Sequence, residues 1–370
     1  MQTRMCTLHF GPAHPAAHGV LRCVMYIRGE WIVGVVMTVG LLHRATEYLL
    51  EDRSVWNNVA YMDRLDYVSM LCMEYCFVAC CEAMLTIRVT TASSILRIVG
   101  AEQARVQNHL LNIACHAGDI GCVTALLYLF EDRELLYDCM SMWTGARMHV
   151  CLFVLGGLRC IPSVRMLLSL LDVMTSISIR HALLLNVILC NRVFISRCML
   201  VGVIAALEFI GSGPMLRACG VSWDSRLQDT SYAYTSLAIP VGSTGCSYDR
   251  MLVRLMELAT STAVVAMCIS ASIALSVMLT HGSVSLHSIL HGFQQDKSDS
   301  LIFGLSCYEA PKGELCVCIL EQSAVVWRTY IRPADLLHLL CMQHLTLGLA
   351  LSDAVMILGT VDVVFGAVDL

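Results

Sequence analysis

Apolar and β-branched residues run from Val20 to Ile27 and again from Trp31 to Val39, with Arg28-Gly29-Glu30 between them. Two such runs around a Gly-containing break predict a hairpin in an N-terminal region of strands and turns, residues 5–40. Helical spacing follows over Leu41–Glu51 and, as one longer element, over Arg53–Ile87. Thr91-Ala92-Ser93-Ser94 offers capping hydroxyls for a helix reaching about His116. Asp119–Tyr137 is helical again, and Gly156-Gly157 breaks the pattern. Val164–Met174 and Phe194–Phe209 predict further helices, whereas Gly211–Gly245 is turn-rich. Asp249 to about Leu279 is a long helix. Residues 301–332 alternate as three strands, LIFGLSCYEA, ELCVCIL and VVWRTYIR. Helix returns near Pro333–Leu347, followed by an apolar tail. The predicted fold is α+β and mainly helical, with small sheets at both ends. It forms one domain over 1–370: an N-terminal strand region 1–40, a helical core 41–300, and a C-terminal sheet and tail 301–370.

No Asp, Glu, Lys or Arg lies between Glu257 and Asp296, and Ser261–Thr280 reads STAVVAMCISASIALSVMLT. That is long enough to span a bilayer. It is nevertheless rich in Ser, Thr, Ala and Cys, and lacks the flanking Lys/Arg and Trp/Tyr of a membrane helix. A bilayer span and a helix buried by partners both fit.

Composition sharpens this. Hydrophobic residues make up 57% of the 370 and charged ones only 14%, against about a quarter charged in ordinary globular chains. The surface is therefore covered, by membrane or by partner subunits. A net charge of -5 without a basic stripe excludes nucleic acid as a partner. Met1–Phe10 lacks the apolar core of a signal peptide. Twenty Cys, 21 Met and only two Lys, Lys297 and Lys312, imply a skewed codon pool, as in an organelle-encoded gene.

The candidate chemistry begins at FGPAHPAAHGVLR, Phe10–Arg22, where His14 and His18 share a Pro/Gly-stiffened turn. By itself this is either metal or proton chemistry or a structural turn with surface His. Cys72, Cys76, Cys80 and Cys81 put three thiols on one helix face, a poor tetrahedral cage. They are expected as buried small side chains, and Cys316 and Cys318 as core.

The Phe10–Arg22 string resembles the opening signature of the 49 kDa subunit family (subunit 7) of respiratory complex I, the NADH:quinone oxidoreductase. Further blocks resemble that family in order: GLLHRATEYL, YMDRLDYVSM, AEQARVQNHLL, HAGDIG, FEDRELL, GARMHV, PMLRACG, PVGSTGCSYDR, EAPKGEL and LGTVDVVFGAVD. The resemblance implies a fold like the nickel–iron hydrogenase large subunit. Where that enzyme has metal-binding Cys pairs, this chain has Asp66 and Ser69, and Val364 and Ala367. No thiolate cage remains there for a soft metal.

The same resemblance implies that the old metal cavity holds a ubiquinone headgroup, with Val364 in its wall. A 4Fe-4S cluster in a neighbouring subunit would supply electrons, and no cofactor is expected on this chain alone. By motif match His18 and Tyr67 are the proton donors and Asp119 the carboxylate behind His18. Arg44 and His149 match residues beside the cluster, where cations and hydrogen bonds raise its potential. The implied partners are the cluster-bearing subunit of the twenty-kilodalton type, the subunit of the thirty-kilodalton type and the membrane-arm quinone-channel subunit. The implied location is the matrix-side arm of the complex in the mitochondrial inner membrane. Departures from the family pattern are Ala45 for the usual Gly, Phe153–Gly157 for a run with Arg and Pro, and Ala367 and Leu370 for a usual acid and Arg. A scaffold that kept the fold but lost the chemistry, and a membrane-bound hydrogenase subunit, are the competing readings.

Overall fold

The computed structural model describes residues 5–14, 19–278, 301–322 and 325–370. Its N-terminal sheet is antiparallel, in the order β1 (Met5–Phe10), β2 (Arg22–Arg28), β3 (Trp31–Thr38). Arg28 pairs with Trp31, so the hairpin turns on Gly29-Glu30, with Gly29 at φ +68°. That left-handed conformation is cheap for glycine. Phe10, Leu21, Cys23, Met25 and Val35 face two C-terminal helices across a small apolar cavity.

The middle of the chain is helical: α1 (Thr46–Leu50), α2 (Val55–Met62), α3 (Met70–Met84), α4 (Thr91–Ile120), α5 (Val123–Thr144), α6 (Val164–Leu189), α7 (Arg192–Cys198), α8 (Gly213–Ala218) and α9 (Ser247–Met278). A two-residue hairpin, β4 (Phe153–Val154) and β5 (Gly157–Leu158), sits between α5 and α6. The C-terminal sheet is β6 (Ile302–Ala310), β7 (Gly313–Gln322) and β8 (Val325–Arg332), antiparallel in sequence order. Then come α10 (Ala334–Thr346), α11 (Leu351–Val361) and α12 (Phe365–Asp369). A mainly helical body with small flanking sheets is thus as expected from the sequence.

Several expectations need correction. The predicted helix over 53–87 is two helices, separated by a loop at 63–69. The break carries neither Gly nor Pro; within it Asp66 accepts from the backbone N–H of Val68 and Ser69 at 3.2 and 3.3 Å, just ahead of α3. The cap of α4 is Thr90, one residue before the predicted Thr91–Ser94 run, and accepts from the Ser93 N–H. That helix runs on through Asp119 to Ile120 and ends at Gly121, φ 97°. The helix expected over 194–209 ends at Cys198, ahead of left-handed Leu200 and Gly202. The apolar tail is two helices, α11 and α12.

The uncharged stretch lies in α9, of which residues up to 278 are described. The helix packs against α4, α6 and α8, burying Val264, Val265, Cys268 and Ile269. In the three turns ahead of the uncharged stretch, Arg250, Arg254 and Glu257 are buried as well. By length and composition α6 and α9 are apolar enough to cross a membrane, and 44% of the apolar stretch of α9 is buried inside the protein body.

The four thiols of α3 are buried as expected. Cys72 donates to the Ala101 carbonyl at 3.6 Å, and Cys76 to Ser306 and Leu315 carbonyls at 3.5 Å. Burial pushes the Cys72 and Cys80 thiols up to about 12, which suits small packing groups rather than ligands. Cys316 and Cys318 depart from expectation. Leu315, Val317 and Ile319 take the buried face of β7, leaving the two cysteines half-exposed on the other.

Candidate functional site

The 63–69 loop is where distant segments meet. Asp66 accepts from Lys312 Nζ at 2.7 Å and from Ser69 Oγ at 2.5 Å. Lys312, at the β6–β7 turn and 2% exposed, also stands 3.5 Å from Asp335 of α10. Asp335 in turn accepts the Val364 N–H at 2.8 Å, just ahead of α12. One ammonium between two carboxylates therefore ties together segments from residues 66, 312, 335 and 364. A small cavity opens there, lined by Asp66, Lys312, Asp335 and Ala367 among others. So Asp66, with Ser69 bonded to it, and Ala367 converge on one cavity. Val364 stands beside them through its N–H on Asp335, while Ala367 is the one facing the cavity.

The electrostatics follow from burial. Burial opposes the charge on Asp66, but Lys312 and the hydrogen bonds from Lys312 and Ser69 outweigh it and hold the carboxyl below its usual range. Burial also opposes the charge on Lys312, yet Asp335 and Asp66 keep the ammonium charged. Asp335 is the group left over: burial pushes it up to about 7, only partly offset by Lys312. One cation therefore holds one carboxylate firmly and leaves the other poised near neutrality.

Tyr67 follows Asp66 and is 37% exposed. Its ring lies against Gly366, where an added Cβ would stand 3.3 Å from Tyr67 Cε1 and 2.5 Å from the Leu65 carbonyl oxygen. Burial raises the phenol above its ordinary range; Lys312 and, more weakly, Arg44 pull it back, while Asp66 and Asp335 push it further up.

Arg44 and His149 reach the same loop from elsewhere. Arg44 Nη2 donates to the Arg64 carbonyl at 3.0 Å, and His149 Nδ1 lies 3.1 Å from the Asp63 carbonyl. They thus hang on adjacent carbonyls, three and four residues before Tyr67. Arg44 is held by the chain end: its N–H donates to the Leu370 carbonyl at 3.2 Å, and Asp369 accepts from the Gly40 and Leu42 N–H at 2.8 and 2.7 Å. Leu370 serves through its backbone carbonyl, which also accepts the Thr46 N–H. Ala45 adopts φ 54° and ψ 40°, a left-handed conformation that glycine takes without strain.

Asp119 sits apart, in the last turn of α4. Its carboxylate lies against Gly359 of α11, where a Cβ would be 2.5 Å from Oδ2. Although on the exposed side of the helix, it is crowded enough for desolvation to raise it to about 6. No hydrogen bond joins it to Tyr67 among the described residues. His18 lies outside the described residues, and with it the expected His18–Asp119 pair.

Sequence reasoning missed Lys312 and Asp335 as members of the site. Lys312 carried a signal, being one of two lysines in the chain; Asp335 carried none. It also missed a buried ion network behind the site. Arg217 bonds Glu257 and Glu309 at 2.8 Å each; Arg226 bonds Glu102 at 3.0 Å and Asp224 at 2.6 Å. His109 bonds Glu257 at 3.0 Å. These charges are paired, as buried charges must be. Glu309 lies three residues before Lys312, so the network anchors the strand that carries the lysine.

A mainly helical body with sheets at its two ends, closed over an ion-paired cavity, is the frame into which the comparisons fall. Residues 119–370 match the family model of the respiratory-chain NADH dehydrogenase 49 kDa subunit. The D subunit of the NADH-quinone oxidoreductase of Erythrobacter litoralis is 36% identical, over 98% of this chain and 95% of its own length. The 49 kDa subunit of the NADH-ubiquinone oxidoreductase of Pylaiella littoralis is 34% identical, over 98% and 96%. The mitochondrial 49 kDa subunit of Neurospora crassa is 35% identical, over the whole of this chain and 81% of its own. The chain belongs to the family of the 49 kDa subunit of respiratory-chain NADH dehydrogenase, the D subunit of the bacterial enzymes. Its enzymatic role is as part of that oxidoreductase.

Proposed function

We propose that this chain, as one domain over 1–370, forms the wall of a quinone-reduction site on which Tyr67 and His18 supply the protons. Reducing a quinone to a quinol takes two electrons and two protons. The electrons come from a 4Fe-4S cluster of the small cluster-bearing neighbour, and Arg44 and His149 flank that side. The protons need donors within hydrogen-bond reach of the two carbonyls. Tyr67 suits one of them. Burial keeps its phenol neutral and able to donate, and Lys312 stabilises the phenolate left behind. His18 with Asp119 supplies the other, and the charge uncovered on Asp119 starts the conformational steps that drive proton pumping.

The observation that carries this reading is the convergence on one loop of Tyr67, the Lys312 ion triad, Arg44 and His149. The former metal cavity would then be a reused one: Asp66, Ser69, Val364 and Ala367 offer no thiolate, and the donor set does not fit a nickel–iron group. The thirty-kilodalton-type subunit and the membrane-arm quinone-channel subunit complete the site. We place the chain in the matrix-side arm of a mitochondrial complex, encoded in the organelle. Carbonate extraction should release it with that arm.

The decisive experiment is Tyr67→Phe in the assembled complex. Quinone reduction should fall by roughly 10²-fold or more, while NADH still reduces every cluster. Normal quinone reduction in that variant would sink the proposal and favour a scaffold subunit that has lost the chemistry.

A further inference from the structure

On the outer face of the C-terminal sheet Cys307 of β6 pairs directly with Cys316 of β7. Their sulfurs are 2.6 Å apart, Cys307 is exposed, and Glu314 Oε1 lies 3.4 Å from Cys316 Sγ. We propose that Cys307 and Cys316 form a reversible redox pair, closed to a cross-strand disulfide by low-molecular-weight disulfides of the glutathione type. This site is separate from the quinone cavity and does not depend on the quinone reading.

The separation decides between two uses of the pair. Two thiolates sharing a tetrahedral zinc ion at about 2.3 Å each would sit roughly 3.8 Å apart. Disulfide formation needs only a further short approach to about 2.05 Å. The backbone register already sets the two residues opposite one another, so no strand has to move.

The chemistry balances without a metal. The Cys307 thiolate attacks one sulfur of the small disulfide, giving a mixed disulfide and releasing one thiolate. Cys316, its proton passed to Glu314, attacks the Cys307 sulfur, forms the Cys307–Cys316 bond and expels the second thiolate. Both released thiolates are protonated, so two protein thiols are oxidised and one small disulfide is reduced to two thiols. Cys307 acts first because it is exposed. Burial, and then the neighbouring Cys307, push the Cys316 thiol above its ordinary range, which suits a resolving thiol assisted by a base.

The linkage has a structural consequence. Three cross-strand pairs beyond Cys307–Cys316 lies the turn that presents Lys312 to Asp66. A covalent bond there fixes the hairpin close to the tip that holds the ion triad.

The test uses the assembled complex, treated with oxidised glutathione, alkylated and mapped by mass spectrometry. The expected product is a peptide pair joined through Cys307 and Cys316, released by dithiothreitol. Cys307→Ser should lose the linked pair and leave Cys316 fully alkylated, and Glu314→Gln should slow its appearance several-fold. Two freely alkylated cysteines in the treated complex overturn the proposal. So does glutathione held on Cys307 with Cys316 still free. The mapping of the unaltered complex decides the matter even if Cys307→Ser fails to assemble.

Discussion

Lys312 Nζ lies 2.7 Å from Asp66 Oδ1, and Asp66 is the residue immediately before Tyr67. The lysine thus serves two neighbours: it fixes the loop through Asp66, and its charge favours the Tyr67 phenolate. Lys312→Met should lower quinone reduction about 10-fold or more, since the phenolate loses the cation that favours it most. Asp66, left buried without its partner, should also cost the fold a few kcal/mol. Steady-state NADH:ubiquinone activity, normalised to complex content and to cluster reduction from NADH, checks this. Unchanged turnover in an intact complex would remove Lys312 from the site.

Asp335 predicts a pH signature. Its carboxyl is raised in the fold from about 4 to about 7. The fold therefore favours the protonated form, and the stability this group adds is present at low pH and lost as pH rises through about 7. Asp335→Asn keeps an acceptor for the Val364 N–H and removes that titration. Its thermal midpoint, measured against the parent from about pH 5 to about pH 8, should gain toward the alkaline end. The slope is bounded by about 1.4 kcal/mol per pH unit. A pH-independent difference would mean that Asp335 does not titrate in this range.

Gly366 tests the placement of Tyr67. A methyl group there meets the Leu65 carbonyl at 2.5 Å and the Tyr67 ring at 3.3 Å. Gly366→Ala should cost about 1–3 kcal/mol by overpacking and turn the phenol away from its position. The expected outcome is a rise in the apparent KM for quinone together with a fall in kcat. Binding of NADH to the complex should not change.

Ala45 predicts a gain. It holds a left-handed backbone, φ 54°, which costs a residue with a Cβ about 1–2 kcal/mol. Ala45→Gly relieves that strain and loses part of the benefit to the freer unfolded chain. The net effect should be a stabilisation of about 0.5–1 kcal/mol, read from thermal unfolding or from slower amide exchange at Thr46, whose N–H donates to Leu370. A destabilised variant would show that the turn does not need glycine's freedom.

Much of the local architecture was legible. The hairpin at Gly29 and the three strands after residue 301 follow from alternation and turn residues, which are local properties. The 63–69 break was not, because Asp-Arg-Leu-Asp-Tyr-Val-Ser carries no helix breaker. What holds the loop is Asp66 binding its own backbone and Lys312, a partner 246 positions away. The short α7 escaped for a related reason: Leu200 is left-handed without being glycine, so the chain turns where its text reads helical.

For the site, the sequence by itself determined the family, through ten blocks in order, and so drew attention to Tyr67, Arg44, His149, Asp119 and His18. It determined too that a thiolate cage is missing, because residue identity alone decides which soft-metal ligands are available. Only the tertiary structure decided that Arg44 and His149 share adjacent carbonyls of the Tyr67 loop, and that one lysine is divided between Asp66 and Asp335. It alone decided that Cys316 looks outward to Cys307 rather than into the core. The reason is physical. A residue type fixes which proton or ligand chemistry is possible, whereas which charge faces which in a dry interior depends on segments hundreds of residues apart being packed together.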